Sequence, residues 1–134
     1  MSISSLKAIS PIDGRYRSKI KELSEFFSEK ALIKYRLLVE IEYFISLTEI
    51  KLNTFKKWDI KMNESIRDIY RNFNDNDAKE VKMIEKSTNH DVKAVEYFIK
   101  NKFKLLKLEK FSEYIHCNRD RDNFWIQLSI FKLL

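Results

Sequence analysis

The chain has 134 residues, a formal net charge of +6 and an isoelectric point near 9.3, and 44% of its residues are hydrophobic. This is the length of one domain, which would bury roughly two thirds of its unfolded surface. One Gly and one Pro leave few helix breakers, and the abundant Lys, Glu, Leu and Ile favour helix over strand. We therefore expect an all-α fold.

Several classes of protein are excluded by the same figures. Basic residues alternate with acids, as in KIKELSEFFSEK, without a basic stripe, a zinc-ligand spacing or an aromatic RNA-binding signature. Cys117 stands alone, so no internal disulfide can form, which favours a reducing compartment. No apolar run reaches the roughly 18 to 20 residues of a membrane span, and the N-terminus lacks the features of a signal peptide. We expect a soluble cytoplasmic protein that binds neither nucleic acid nor membrane.

The chain begins with an irregular stretch that contains SPIDGRY. Pro11 fixes one backbone dihedral, Asp13 can bond its own backbone and Gly14 tolerates a positive φ, so a turn is predicted here. A helix is expected to start after it, near Arg17 or Ser18.

A long helix is predicted from about Ser28 to Ile50. Its apolar residues recur at helical spacing and form a broad stripe, which predicts burial on more than one side. The stripe consists of Ile33, Leu37, Ile41, Phe44 and Thr48, with Tyr35, Leu38 and Ile45 alongside.

Three shorter helices follow. One begins near Asn63, with Asn63 or Ser65 as the capping residue, and the next begins after the polar stretch from Asn74 to Asp77. The last follows the letters STNHD. Its inward stripe is predicted to be Val92, Val95, Ile99 and Phe103, and Glu96 and Lys100 are expected to form an ion pair on its outer face.

The stretch STNHD places an amide, an imidazole and a carboxylate at the start of that last helix. Asn89 or Asp91 could cap the helix, and the helix dipole favours the carboxylate. This interpretation leaves His90 without a local role, and a single His is more often structural or solvated than functional. Polar groups at a helix N-terminus also bind anions such as phosphates and carboxylates. From the local sequence, both interpretations stay open.

Three motifs carry a family resemblance. SPIDGRY near the N-terminus is followed after about seventy residues by TNHDVKAVEYFIK and then by FSEYIH, and in this order and spacing they resemble adenylosuccinate lyase over residues 1–116. The intervening FSEKALIKYRLLVEIEYF is similar to the long early helix of that family. The resemblance implies the N-terminal helical domain of the fumarase/aspartase superfamily. Most of the central helix bundle, which builds the family's homotetramer, would be missing.

The resemblance implies a carbon–nitrogen lyase of purine nucleotide biosynthesis. Such enzymes eliminate fumarate from adenylosuccinate, which gives AMP, and from the succinyl-carboxamide ribotide two steps before IMP. In this β-elimination a base removes a proton alpha to a carboxylate and an acid protonates the departing nitrogen. No metal or organic cofactor is implied.

The resemblance also assigns the residues that bind the small-molecule nucleotide substrate. Arg15 and Tyr16 match the pair that contacts the nucleotide, where a guanidinium suits a phosphate and a phenol adds a hydrogen bond. Asn89, His90 and Asp91 match the substrate-binding triplet of the family. In this interpretation the imidazole faces the ligand.

The resemblance ends at His116. The family's Thr-Ser pair has no counterpart in the following CNRDRDNFWIQLSIFKLL, and its general-acid His and its base Ser lie further downstream. We therefore predict a lyase domain over residues 1–116 and a divergent tail over residues 117–134, truncated or frame-shifted. No catalytic residue is assigned, and the chain alone is expected to be inactive. The alternative is a non-catalytic helical fragment, or a partner of a full-length lyase.

Overall fold

The computed structural model of the protein describes residue 4 and the ranges 6–50 and 53–115. Every regular element in these ranges is helical, which confirms the predicted all-α fold. The chain divides into two compact units, Met1–Leu32 and Ile33–Leu134. The predictions for His116, Cys117 and the tail lie outside the described residues.

The α-helices are α1 (Ser24–Phe27), α2 (Glu29–Glu49), α3 (Met62–Arg71), α4 (Asp75–Thr88) and α5 (Asp91–Leu105), and 3-10 helices span Lys21–Leu23, Asn53–Phe55 and Glu109–Tyr114.

The first unit opens with turns, as predicted, but its first regular helix starts only at Lys21. The expected start near Arg17 is therefore too early. Of the backbone hydrogen bonds between residues 14 and 20, two span three residues and one spans four, so no regular helix is established there. Gly14 does not adopt a positive φ in these turns.

Helix α2 confirms the predicted long helix. It starts after Ser28, whose hydroxyl oxygen accepts a hydrogen bond from the backbone N–H of Ala31 at 3.2 Å, as an N-cap does. From Ile33 onward the predicted stripe is buried, except that Thr48 and Leu38 are half-buried and Tyr35 is exposed.

The core of the second unit contains a cluster of aromatic rings. Phe44 of α2 lies 5.0 Å from Phe103 of α5, and Phe55 of the following 3-10 helix lies 5.7 Å from Phe111. Trp58 meets Phe111 at 5.0 Å, edge to face. These distances between ring centroids are those of favourable aromatic pairs. The cluster joins the long helix to the C-terminal end of α5 and to the last 3-10 helix.

The capping residues of α3 and α4 give opposite results. Helix α3 has no side-chain cap, and Asn63, predicted as its cap, is buried and accepts a hydrogen bond from the indole N–H of Trp58 at 2.8 Å. Asn74 does cap α4: it accepts from the backbone N–H groups of Asn76 and Asp77, and the carboxylate of Asp77 accepts from the N–H of Asn74. The polar stretch before α4 therefore forms a complete capping box.

Glu96 of α5 is buried, so its predicted place on the outer face is wrong. Only 5% of the residue is exposed, although it forms the expected ion pair with Lys100, at 3.0 Å, and a second one with Lys93, at 2.7 Å. Burial alone would raise the pKa of Glu96, but the hydrogen bonds from the two lysines outweigh it and the pKa is lowered. A carboxylate with two ammonium partners can remain charged at a buried position.

An ion pair links α2 to α3. The guanidinium of Arg67 donates to both carboxylate oxygens of Glu42, at 2.9 and 3.0 Å, and the hydroxyl of Tyr70 donates to Oε1 at 2.8 Å. Burial alone would raise the pKa of Glu42, but the bonds from Arg67 and Tyr70 lower it. The side chains of Glu42 and Arg67 are each 25% exposed, so this pair is largely shielded from solvent.

Candidate functional site

Arg15 and Tyr16 lie in the exposed turn of the first unit. The guanidinium carbon of Arg15 stands 4.6 Å from the centre of the Tyr16 ring, a cation–π contact between neighbours in sequence. The carboxylate of Asp13 pairs instead with Arg17, at 2.6 Å. Arg15 and Tyr16, the two residues assigned to the nucleotide, are thus exposed next to each other. The nearby carboxylate of Asp13 pairs with Arg17 and not with Arg15 in the described ion pairs.

Asn89 ends helix α4. Its backbone has φ 51° and ψ 33°, the left-handed conformation that Asn tolerates better than most residues, and its N–H donates to the carbonyl of Glu85 at 2.8 Å. Asn89 is therefore the C-cap of α4. The prediction that Asn89 could be the N-cap of α5 is wrong. The left-handed backbone of Asn89 ends α4, and the next residue, His90, is the N-cap of α5.

His90 is the N-cap of α5. Its Nδ1 accepts a hydrogen bond from the backbone N–H of Lys93 at 3.2 Å, and its side chain is 63% exposed. The expectation that Asn89 or Asp91 would be the cap is corrected, because an imidazole nitrogen can accept from the third helical N–H as a short polar side chain does. A nitrogen that accepts carries no proton, so the neutral ring holds its proton on Nε2. The exposed ring thus presents an N–H donor at Nε2.

Asp91 is the first residue of α5, and each of its carboxylate oxygens has a partner. Oδ1 accepts from the N–H of Val92 at 2.8 Å, and Oδ2 lies 2.7 Å from Nη1 of Arg36 in α2. The Val92 N–H and, after it, the Arg36 guanidinium hold the pKa of Asp91 below its ordinary value. Sequence reasoning missed Arg36, since helical periodicity gives no indication of which residue a distant helix contacts.

The structure therefore brings three of the predicted residues together in one turn. Asn89, His90 and Asp91 connect α4 and α5 in the second unit, whereas Arg15 and Tyr16 belong to the first unit. A cleft of about 330 Å³ in the second unit contains none of these five residues. Within the described ranges, no cluster of three or more His, Cys, Asp or Glu residues is arranged to hold a metal. Nor does any described helix have the length and apolar character to cross a membrane.

Comparison with known proteins adds sequence relatives. No protein-family model matches the chain. It is 50% identical to the adenylosuccinate lyase of Dictyostelium discoideum over 97% of its length. It is also 49% identical to that of Legionella pneumophila (strain Corby) over 77% of its length, and 42% identical to that of Haemophilus influenzae over 87%. The chain spans 29%, 23% and 26% of these three proteins.

The expected boundary after residue 116 and the divergent tail stay predictions. The chain is related by sequence to the adenylosuccinate lyases and corresponds to about a quarter of their length.

Proposed function

We propose that the chain supplies part of the substrate site of an adenylosuccinate lyase. The reaction is the elimination of fumarate from adenylosuccinate and from the succinyl-carboxamide ribotide, in cytoplasmic purine nucleotide synthesis, by an enzyme that works as a homotetramer. The support is sequence identity of 42 to 50% to proteins of that name. Because the chain spans about a quarter of those proteins, the complete activity requires residues that this polypeptide does not supply.

The orientation of His90 is the observation that carries the proposal. The backbone N–H of Lys93 occupies Nδ1, and the exposed ring offers Nε2–H as a donor. The substrates of this reaction carry a phosphate and two carboxylates, which accept such a bond. The cap occupies Nδ1 only, so the same ring can cap the helix and donate to a ligand at the same time. The proposed role of His90 is therefore to donate a hydrogen bond to the substrate.

The other assigned residues contribute to ligand binding in different ways in this proposal. The guanidinium of Arg15 contacts the nucleotide phosphate, and its contact with the ring of Tyr16 limits its freedom before binding. Asn89 contributes its side-chain amide, and Asp91 lies at the positive end of α5. None of these groups is assigned a proton-transfer step. Their joint task is to bind and orient the substrate.

The experiment uses a hybrid lyase, in which residues 1–116 of this chain replace the aligned segment of the Dictyostelium enzyme and all later residues are those of that enzyme. Arg15→Gln and His90→Asn should each lower kcat/KM by roughly ten to a hundredfold, the loss of a charge-assisted or polar contact of about 1.5 to 3 kcal/mol. Asn is chosen at position 90 because its oxygen can still cap α5. The melting temperature of His90→Asn should therefore stay unchanged.

Arg17→Gln is the matched control for Arg15→Gln. Arg17 lies two residues away in the same exposed turn and pairs with Asp13, so its loss should leave the kinetics nearly unchanged. Wild-type kinetics in both Arg15→Gln and His90→Asn would refute the assignment. A folded, tetrameric hybrid without turnover would favour the alternative, a non-catalytic helical fragment or partner of a full-length lyase.

A further inference from the structure

Arg36 contacts the Asn89–His90–Asp91 turn from another helix. It lies in α2, within the second unit, and its Nη1 is 2.7 Å from Oδ2 of Asp91. The Arg36 side chain is only 27% exposed. A charge-assisted contact at this distance, made by a planar guanidinium, is directional as well as strong. The contact therefore restrains the turn more than a surface lysine would.

The carboxylate of Asp91 joins two elements at one point. Oδ1 is bonded to the first turn of its own helix, through the N–H of Val92, and Oδ2 is bonded to α2 through Arg36. His90 immediately precedes this anchored residue, and its ring is bonded to the same first turn of α5, at Lys93. Fixing Asp91 against α2 therefore also fixes the backbone from which His90 projects.

We propose that Arg36 is a positioning residue of the substrate site, which holds Asp91 and thereby keeps His90 oriented with Nε2–H towards the ligand. The inference rests on the function proposed above and adds to it a residue outside the five assigned ones. Arg36 acts through Asp91 and makes no contact with the substrate. Asp91 in turn serves the site by anchoring the turn, since both of its oxygens are occupied.

A purely stabilising ion pair is the competing explanation, and the chain offers a matched control for it. Arg67 of α3 also forms an ion pair with α2, to Glu42, and its side chain has nearly the same exposure, 25% against 27%. Arg67 contacts neither His90 nor Asp91 in the described hydrogen bonds and ion pairs. Arg36→Met and Arg67→Met thus each remove an ion pair between helices made by a similarly shielded arginine, and only the first one reaches the turn.

The kinetic arm of the test uses the hybrid lyase. Arg36→Met should raise KM about tenfold with kcat changed less than about twofold, because a disordered turn weakens binding without removing a reacting group. Arg36→Lys, which keeps the charge, should recover part of that loss. Arg67→Met should lower the melting temperature and leave KM unchanged. An unchanged KM in Arg36→Met, or an equal rise in Arg67→Met, would overturn the proposal.

The spectroscopic arm uses the 134-residue chain itself and requires no turnover. Nitrogen-15 shifts of the His90 imidazole should report one tautomer with the proton on Nε2, and His116→Gln identifies which signals belong to His90. Arg36→Met should shift these signals towards a tautomer mixture, whereas Arg67→Met should not. If the wild-type hybrid has no turnover, the proposed function fails, and the spectroscopic measurement alone then tests the positioning role of Arg36. His90 signals in Arg36→Met that are identical to those of the wild-type chain would overturn that role.

Discussion

Removing the ion pair between Glu42 and Arg67 should measurably uncouple α2 from α3. We consider Glu42→Gln, Arg67→Met and the double variant, so that a double-mutant cycle isolates the interaction from the effects of each substitution. Two charge-assisted hydrogen bonds of 2.9 and 3.0 Å join the side chains, and each side chain is 25% exposed. Fully exposed pairs contribute about 0.2 to 1 kcal/mol, and hydrogen bonds to charged groups about 1.5 to 3 kcal/mol. We expect a coupling energy of about 1 to 2 kcal/mol.

The assay is urea unfolding followed by circular dichroism. With a slope of about 2 kcal/mol per molar urea, in the middle of the range for a small domain, a loss of about 1 to 2 kcal/mol in each single variant should lower the midpoint by about 0.5 to 1 M. Arg67 still contacts Glu64 at 2.9 Å after Glu42→Gln, so it is not left as a stranded charge. The control pair is Lys82 and Glu85, at 2.6 Å within α4, for which we expect at most about 0.5 kcal/mol. Coupling energies that are equal for the two pairs would refute the argument that shielding strengthens the first.

Four further predictions follow from the structure. The pKa of Glu42 and that of Glu96 are both lowered, so the stability that the two charged carboxylates contribute is complete above the ordinary pKa of 4.5 and is lost as the pH falls through the lowered values. The free energy of unfolding should therefore decrease below pH 4.5, and the decrease should be less steep in Glu42→Gln. Asn74→Ala should destabilise the chain by about 1 kcal/mol through loss of the α4 cap, measured by thermal melting, with Asn76→Ala nearly silent. The 134-residue chain should release no fumarate from adenylosuccinate in an absorbance assay, and turnover above a buffer blank would contradict the assignment of proton transfer to residues elsewhere. The exposed Ile9 and Phe27 of the first unit should bind an apolar fluorescent dye, and their replacement by Ser should reduce the signal; an undiminished signal would contradict this.

Periodicity is local, and it predicted the buried stripe of α2, whose residues lie within one or two turns of each other. The capping box of α4 is equally local, but the sequence analysis did not predict it and expected that helix to begin only after Asp77. The cap of α5 is also local, yet it was assigned to the wrong residue. Asn89, His90 and Asp91 all have side chains that can accept a backbone N–H, and only the left-handed backbone of Asn89 decides which of them becomes the cap.

Contacts between helices could not be predicted in the same way. Glu96 looked like half of a solvated ion pair, because its charge and its spacing from Lys100 say nothing about the neighbours that bury it. Arg36 and Asp91 are far apart in the chain, and their pairing depends on how α2 and α5 pack. The five assigned site residues came from motif resemblance. The contact between Arg36 and Asp91, which anchors the turn that contains His90, could be identified only from the three-dimensional structure.

The hydrogen bond at Nδ1 of His90 limits the chemistry open to this side chain. A histidine that relays protons takes one up on one nitrogen and releases one from the other, so it needs both nitrogens available. Here a proton on Nδ1 would displace the bond from Lys93 and leave the first turn of α5 without its side-chain cap. Relay through this imidazole would thus remove the side-chain cap of α5. In the proposed site, His90 is therefore better suited to act as a fixed hydrogen-bond donor than as a proton relay.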